Sequence, residues 1–145
     1  MTTKVEMLAH AHTMMDRAYA PYSSFHVGAC IRSDSGKLYD GCNVENASYP
    51  QGLCAEASAI AAMVASGEQR IIEVVVASAR ADGKGGYTDD PELLCTPCGG
   101  CRQKLRQFAT DATTVHVAGP NGFKKSFTLG ELLPASFGPN SLEHM

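Results

Sequence analysis

Two places in this chain set a cysteine at the start of a helical stretch. Leu53-Cys54-Ala55-Glu56 leads into an apolar, alanine-rich run to Val64, and Pro97-Cys98-Gly99-Gly100-Cys101 leads into a run to Phe108. Residues three apart on a helix lie on neighbouring turns of one face, so Cys98 and Cys101 can reach one ion. Cys54 offers a third soft ligand. Helix N-termini carry partial positive charge, which lowers thiol pKa and stabilises bound thiolates. If all three hold one ion, the fold must bring together two helix starts with forty-three residues between Cys54 and Cys98. Three thiolates and an open position describe a catalytic zinc site, whereas a structural site closes with a fourth protein ligand. Glu56, two residues past Cys54, supplies the carboxylate that proton transfer at a zinc-bound water requires.

Other readings of these residues remain open at this point. A lone CxxC also fits a structural zinc half-site or a redox pair. Cys95, Cys98 and Cys101 follow CxxCxxC, but Lys104 breaks the four-cysteine iron–sulfur run. A nucleophilic Cys54 lacks a histidine partner in any motif: His10 and His12 read as helix-surface residues, His26 and His116 as strand residues, and His144 lies in the polar tail. Cys30 and Cys42 read as small buried hydrophobes. Cys95 lies close enough to compete for the metal.

The rest of the chain reads as one domain over 1–145. Thr3 and Glu6 fit a capping box for a helix over 3–19, with Val5, Leu8, Ala9, His12, Met15 and Tyr19 on one stripe before Pro21. Residues 25–32 and 38–44 read as a hairpin around Asp34-Ser35-Gly36-Lys37. Ile71 to Ala77 is β-branched and reads as a buried strand; 80–92, with its Asp-Gly and Gly-Gly pairs, reads as a long loop. Short strands follow at 114–118 and 123–127, then a helical turn from Thr128 with Glu131 at capping-box spacing. Helices alternate with strands behind an opening hairpin, which predicts a mixed sheet with helices on both faces.

Composition removes several classes of partner. Twelve basic and fifteen acidic residues give a net charge of −3 with no basic run, which argues against a nucleic-acid or anionic-membrane partner held by charge. The longest apolar stretch, Ile71 to Ser78, is far short of the roughly 20 residues that cross a bilayer. The amphipathic, acid-containing N-terminus does not read as an export or transit signal, so a reducing cytoplasm is expected, where clustered cysteines mean metal or catalysis.

A glutamate two residues past one ligand, followed much later by Pro-Cys-x-x-Cys, is the zinc-deaminase signature. With cysteine rather than histidine in first position, and with the blocks Ala20 to Ala29, Gly41 to Tyr49, Cys54 to Glu56, Pro97 to Gln103, Leu132 to Pro134 and Phe137-Gly138, the chain resembles the homotetrameric, three-cysteine cytidine deaminases. The resemblance implies a three-layer α/β/α fold with a five-stranded mixed sheet. It also implies zinc-dependent hydrolytic deamination of cytidine and 2′-deoxycytidine in pyrimidine nucleoside salvage. By it, Cys54, Cys98 and Cys101 bind one Zn²⁺ per chain. Glu56 takes a proton from the zinc-bound water, hydroxide attacks C4, and Glu56 delivers protons to N3 and to the leaving amine. Asn43 and Glu45 hold the ribose hydroxyls, Phe25 packs on the substrate, and Ala55 contacts the base through its backbone. Tyr49 and Phe137 reach the active sites of neighbouring chains.

Two features depart from the family pattern. Many three-cysteine members carry Arg directly after the catalytic Glu, where this chain has Ala57. Three thiolates leave zinc formally −1, a weaker Lewis acid, and Arg102 is the candidate to offset that charge by hydrogen bonding to sulfur. The Cys54–Cys98 interval is also long, with the excess at 82–92. Three rivals share some of these features. A deaminase of a cytosine-nucleoside antibiotic would not need both Asn43 and Glu45. A zinc-stabilised binding module predicts Cys95 as fourth ligand. A polynucleotide editor would need a basic groove.

Overall fold

The computed structural model describes residues 3–143; His144 lies outside them. Thr3 caps the first helix, α1 (Lys4–Arg17), its hydroxyl accepting from the Glu6 N–H. Strands β1 (Phe25–Ser33) and β2 (Leu38–Cys42) form the expected antiparallel hairpin, with Gly28 opposite Cys42 and Cys30 opposite Asp40. Helix α2 (Ala55–Ala65) follows, then β3 (Ile71–Ala81), β4 (Tyr87–Thr88), α3 (Gly99–Phe108), β5 (Thr114–Gly119), β6 (Gly122–Thr128) and the single turn α4 (Leu129–Leu132). The Thr128–Glu131 capping box is complete.

The sheet runs β2-β1-β3-β5-β6, with β3 and β5 parallel and the other pairs of this path antiparallel. Helices cover both faces of this mixed five-stranded path, as expected. On one face Ala29, Ile31, Val74, Val76 and Val115 pack against Ala55, Ala59 and Met63 of α2 and Leu105 of α3. On the other, Cys30, Val75, Ala77 and Ala79 pack against Met7, Ala11 and Met15 of α1. Two glycines set how closely the layers approach. A Cβ on Gly28 would lie 1.9 Å from the Ala11 carbonyl oxygen, and one on Gly41 would lie 2.4 Å from both Ala55 O and Ala59 N. Each glycine seats a helix backbone directly on the strand.

That seating corrects the stripe expected on α1. Met7, Ala11 and Met15 are its buried residues, while Val5 and Tyr19 are exposed. Ala11 is the residue small enough to sit over Gly28, and it fixes the rotation of the helix. His12 is more than a surface residue: its Nε2 meets Gly119 O at 2.9 Å. The 80–92 segment is also more ordered than a loop. β3 extends to Ala81, and Tyr87–Thr88 pairs back onto Arg80 and Ala81. Lys124 of β6 pins the remainder, donating to Asp90 O at 2.7 Å and Leu93 O at 2.9 Å, with Asp89 Oδ1 at 3.2 Å. No helix among the described residues is long and apolar enough to cross a membrane.

Candidate active site

The two cysteine-headed helix starts meet. Cys54 is the N-cap of α2 and Cys98 the N-cap of α3, both with extended backbone. Cys101, one turn into α3, is fully buried. The three Sγ atoms lie within 4.8 Å of one another, and no fourth His, Cys, Asp or Glu atom joins them among the described residues. Cys95 lines the same cleft but stands outside the cluster. The donor set, three thiols with one uncommitted side on the cleft, fits a single zinc ion.

The thiols are electrostatically unequal. Hydrogen bonding from Cys101, and to a lesser degree from Cys98, draws Cys54 down to about 6 against the cost of its burial, and Lys104 adds to the effect. The contact with Cys54 together with burial holds the Cys101 thiol up. Of Cys54 and Cys101, Cys54 is therefore the one favoured as the thiolate.

Glu56, on the first turn of α2, is 5% exposed. Burial pushes its carboxyl up to about 7; the charge on Cys54 also raises it, while its own backbone N–H and Lys104 pull it down. A carboxyl poised near neutrality can accept and return a proton with comparable ease.

The cleft above these groups, about 310 Å³, is walled by Phe25, Val27, Asn43, Glu45, Val76 and Ser78, among others. Its rim is fixed by backbone pairing beyond the end of β2. Val44 and Leu53 exchange hydrogen bonds of 2.9 Å in both directions, which sets Asn43 and Glu45 beside Cys54. The Asn43 side chain spans the start of β1: Oδ1 accepts from Val27 N and Nδ2 donates to Phe25 O, both at 2.9 Å. Glu45 accepts from the Ser23 hydroxyl and from the N–H groups of Tyr22 and Ser23, and these bonds hold its carboxyl below the usual carboxylate range. An aimed, ionised acceptor and a mixed donor–acceptor thus face the same cleft.

The other expected site residues fall in two places. Ala55 and Phe25 line the cleft. Tyr49, in the 3₁₀ turn Tyr49–Gln51, and Phe137 are exposed and do not line it within one chain. Tyr49 stacks edge-on against Tyr22 at 5.8 Å.

The proposed role of Arg102 at the sulfurs is not what the structure contains. Its guanidinium donates to Pro97 O and Leu132 O at 2.7 Å and to Thr96 Oγ1 at 2.6 Å. It fastens the Cys98 approach and the end of α4 to α3. The cation that does reach the cluster is Lys104. Its Nζ and the Sγ of Cys98 stand 3.6 and 4.0 Å from the point a Cβ on Gly100 would occupy. Its position three residues past Cys101 was the available signal. Ser78 and Thr96 were also missed as cleft residues; Ser78 breaks the apolar run of β3 and could have been noticed for that.

The sequence profile of the cytidine and deoxycytidylate deaminase zinc-binding region matches residues 1–117. The chain belongs to this family. It is 30% identical over 139 residues to a cytidine deaminase of Sporosarcina psychrophila, covering 96% of this chain and 94% of that one. It is 39% identical over 124 residues to a cytidine deaminase of Mycoplasma pneumoniae, covering 86% of each. Among solved structures it is similar to the cytidine deaminase of Burkholderia pseudomallei, with TM-score 0.81 and 31% identity over 94% of this chain and all of that one. The Mycobacterium tuberculosis cytidine deaminase superposes with TM-score 0.73 at 32% identity, over 95% and 99% of the two chains.

Proposed function

We propose that this chain is a single catalytic domain over 1–145 that hydrolyses cytidine and 2′-deoxycytidine to the corresponding uridines and ammonia, in cytoplasmic nucleoside salvage. The observation that carries the reading is Glu56, buried and poised near neutrality, on the same helix turn as one member of a three-thiol cluster at the floor of a cleft. Cys54, Cys98 and Cys101 would hold the zinc, which would supply Lewis-acid activation of the attacking water. Glu56 takes a proton from the attacking water and gives it to N3 of the base as C4 gains oxygen. It then carries the proton of the new C4 hydroxyl to the departing amine, so that the C4 carbonyl forms and cytidine and water leave as uridine and ammonia. Ala55 offers its backbone to the base and Phe25 a flat apolar wall. Glu45 accepts from a sugar hydroxyl and Asn43 uses its remaining lone pair and N–H on the same sugar. A neutral nucleoside needs no Arg or Lys cradle, and none of the cleft residues named above is cationic.

Exposed Tyr19, Tyr22, Tyr49, Leu53 and Phe137 support a homotetramer in which Tyr49 and Phe137 complete neighbouring cleft mouths. The decisive experiment is Glu56→Gln. Turnover, followed as loss of the cytosine ultraviolet band, should fall by at least about 10²-fold while zinc content and thermal unfolding stay at wild-type values. A variant with wild-type turnover would overturn the reading.

A further inference from the structure

A second group of metal-ligating side chains lies on the sheet face opposite the cleft. His10 of α1, Cys30 of β1 and Asp40 of β2 bring a ring nitrogen, a sulfur and a carboxylate oxygen within 4.8 Å of one another. Cys30 and Asp40 are directly opposed across the hairpin, so their side chains leave the sheet on one face, where Cys30 packs with Met7, Ala11 and Met15. His10 comes down from α1, with Nδ1 at 2.8 Å from Asp40 Oδ2. The other carboxylate oxygen, Oδ1, is shielded from solvent and has no hydrogen-bond partner among the described residues. The Cys30 thiol hydrogen-bonds to the same carboxylate, but a thiol is a weak donor, and a cation beside Oδ1 would satisfy it more fully.

We propose that His10, Cys30 and Asp40 form a second site for a zinc-like divalent cation, separate from the catalytic cluster. One thiolate, one imidazole and one carboxylate make a borderline donor set of the kind zinc accepts, and they come from three elements already in place. The fourth position is left to water. The exchange balances: Zn²⁺ displaces the Cys30 proton, so a thiol, a neutral imidazole and a carboxylate become a neutral complex and one H⁺ is released. Burial, and after it the Asp40 charge, hold the Cys30 thiol well above its ordinary value without metal, so the cation must compete with that proton. Bound there, it would clamp α1 to the β1–β2 hairpin and leave the opposite face of the sheet unaltered.

The test is metal content of the full chain after incubation with excess zinc and desalting, with thermal unfolding measured before and after zinc addition. The wild type should hold two zinc ions per chain, and both His10→Gln and Cys30→Ser one. Added zinc should raise the unfolding midpoint of the wild type and not of the variants, while deaminase turnover is unchanged. Cys98→Ser should lose a different ion, so that combining it with His10→Gln lowers the content further. His10 is exposed, so His10→Gln decides the matter if Cys30→Ser does not fold. One zinc per chain in the wild type, or equal zinc in the wild type and His10→Gln, would overturn the proposal.

Discussion

Asn43 gives the most direct quantitative test of how the cleft is built. Regular pairing of β1 with β2 ends at Gly28 and Cys42. Beyond it the Asn43 amide acts as the next rung, taking Val27 N–H on Oδ1 and giving Nδ2–H to Phe25 O, each at 2.9 Å. Asn43→Ala strands one donor and one acceptor in a half-buried place. A buried unpaired group costs about 1–3 kcal/mol, and partial access to water puts each at the low end, so the loss is about 2 kcal/mol. For a domain of this size that is a fall of about 4–8 °C in unfolding midpoint. Phe25 and Val27 wall the cleft, so KM for cytidine should rise about tenfold with it, equivalent to about 1.4 kcal/mol. Asn43→Asp separates shape from hydrogen bonding. It keeps the acceptor for Val27 but sets a carboxylate oxygen against the Phe25 carbonyl, so it should be no more stable than Asn43→Ala. Calorimetry of the three proteins at one pH, with KM measured in parallel, decides. An alanine variant melting within a degree of wild type, or an aspartate variant more stable than the alanine one, would refute the reasoning.

Three further outcomes are expected. Lys104→Met removes the cation whose charge helps draw Cys54 down, so zinc retention against a chelator should fall by up to about fivefold, the roughly 1 kcal/mol of one charge pair in water. Arg102→Gln should leave zinc retention unchanged and lower stability by about 2–4 kcal/mol through its lost charge-assisted bonds; the reverse pattern would restore Arg102 to the sulfurs. The third measurement is acid unfolding of Glu73→Gln. Burial pushes the Glu73 carboxyl up, but bonds from Arg32 and His116 outweigh it and hold the carboxyl below its usual value. Its stabilisation is therefore complete above the unfolded carboxyl value of about 4.3 and is lost as pH falls through the lower folded value. The variant should be weaker than wild type at neutral pH, with the gap narrowing as pH falls below about 4. A gap constant into acid would refute that role for Glu73.

What could be read from the sequence was what local chemistry decides. The Thr3 and Thr128 caps, the hairpin turn and the cysteine-headed starts of α2 and α3 each depend on residues within one turn of each other, and each appears where expected. The rotation of α1 was not readable in this way, because Ala11 faces the sheet only by virtue of Gly28 on another element. β4 depends on pairing with the end of β3, and the chain after it on Lys124, more than thirty residues downstream of the expected loop's middle. The misassigned arginine has a simple helical cause. Residue i+1 points about 100° away from i, so Arg102 turns from Cys101 toward Pro97 and Leu132, whereas i+3 returns Lys104 to the sulfur side.

Glu56 shows where sequence spacing ends and packing begins. Its place two residues past Cys54 is enough to put both groups on one turn of α2. Spacing alone cannot set its charge state, because the N-terminus of the helix favours a carboxylate there. The opposing influence is burial, together with the neighbouring Cys54 charge; Val76 and Ser78 of β3 wall the same cleft as Glu56. A carboxyl left at its ordinary value would be a poor donor at neutral pH, and one raised much further would be a poor acceptor. The role proposed for this residue would then draw on a strand that carries no part of the sequence signature: a substitution at Val76 that admits water should lower the Glu56 pKa and shift the pH–rate profile toward acid. A pH profile unmoved by Val76→Ser would show that burial by β3 is not what tunes it.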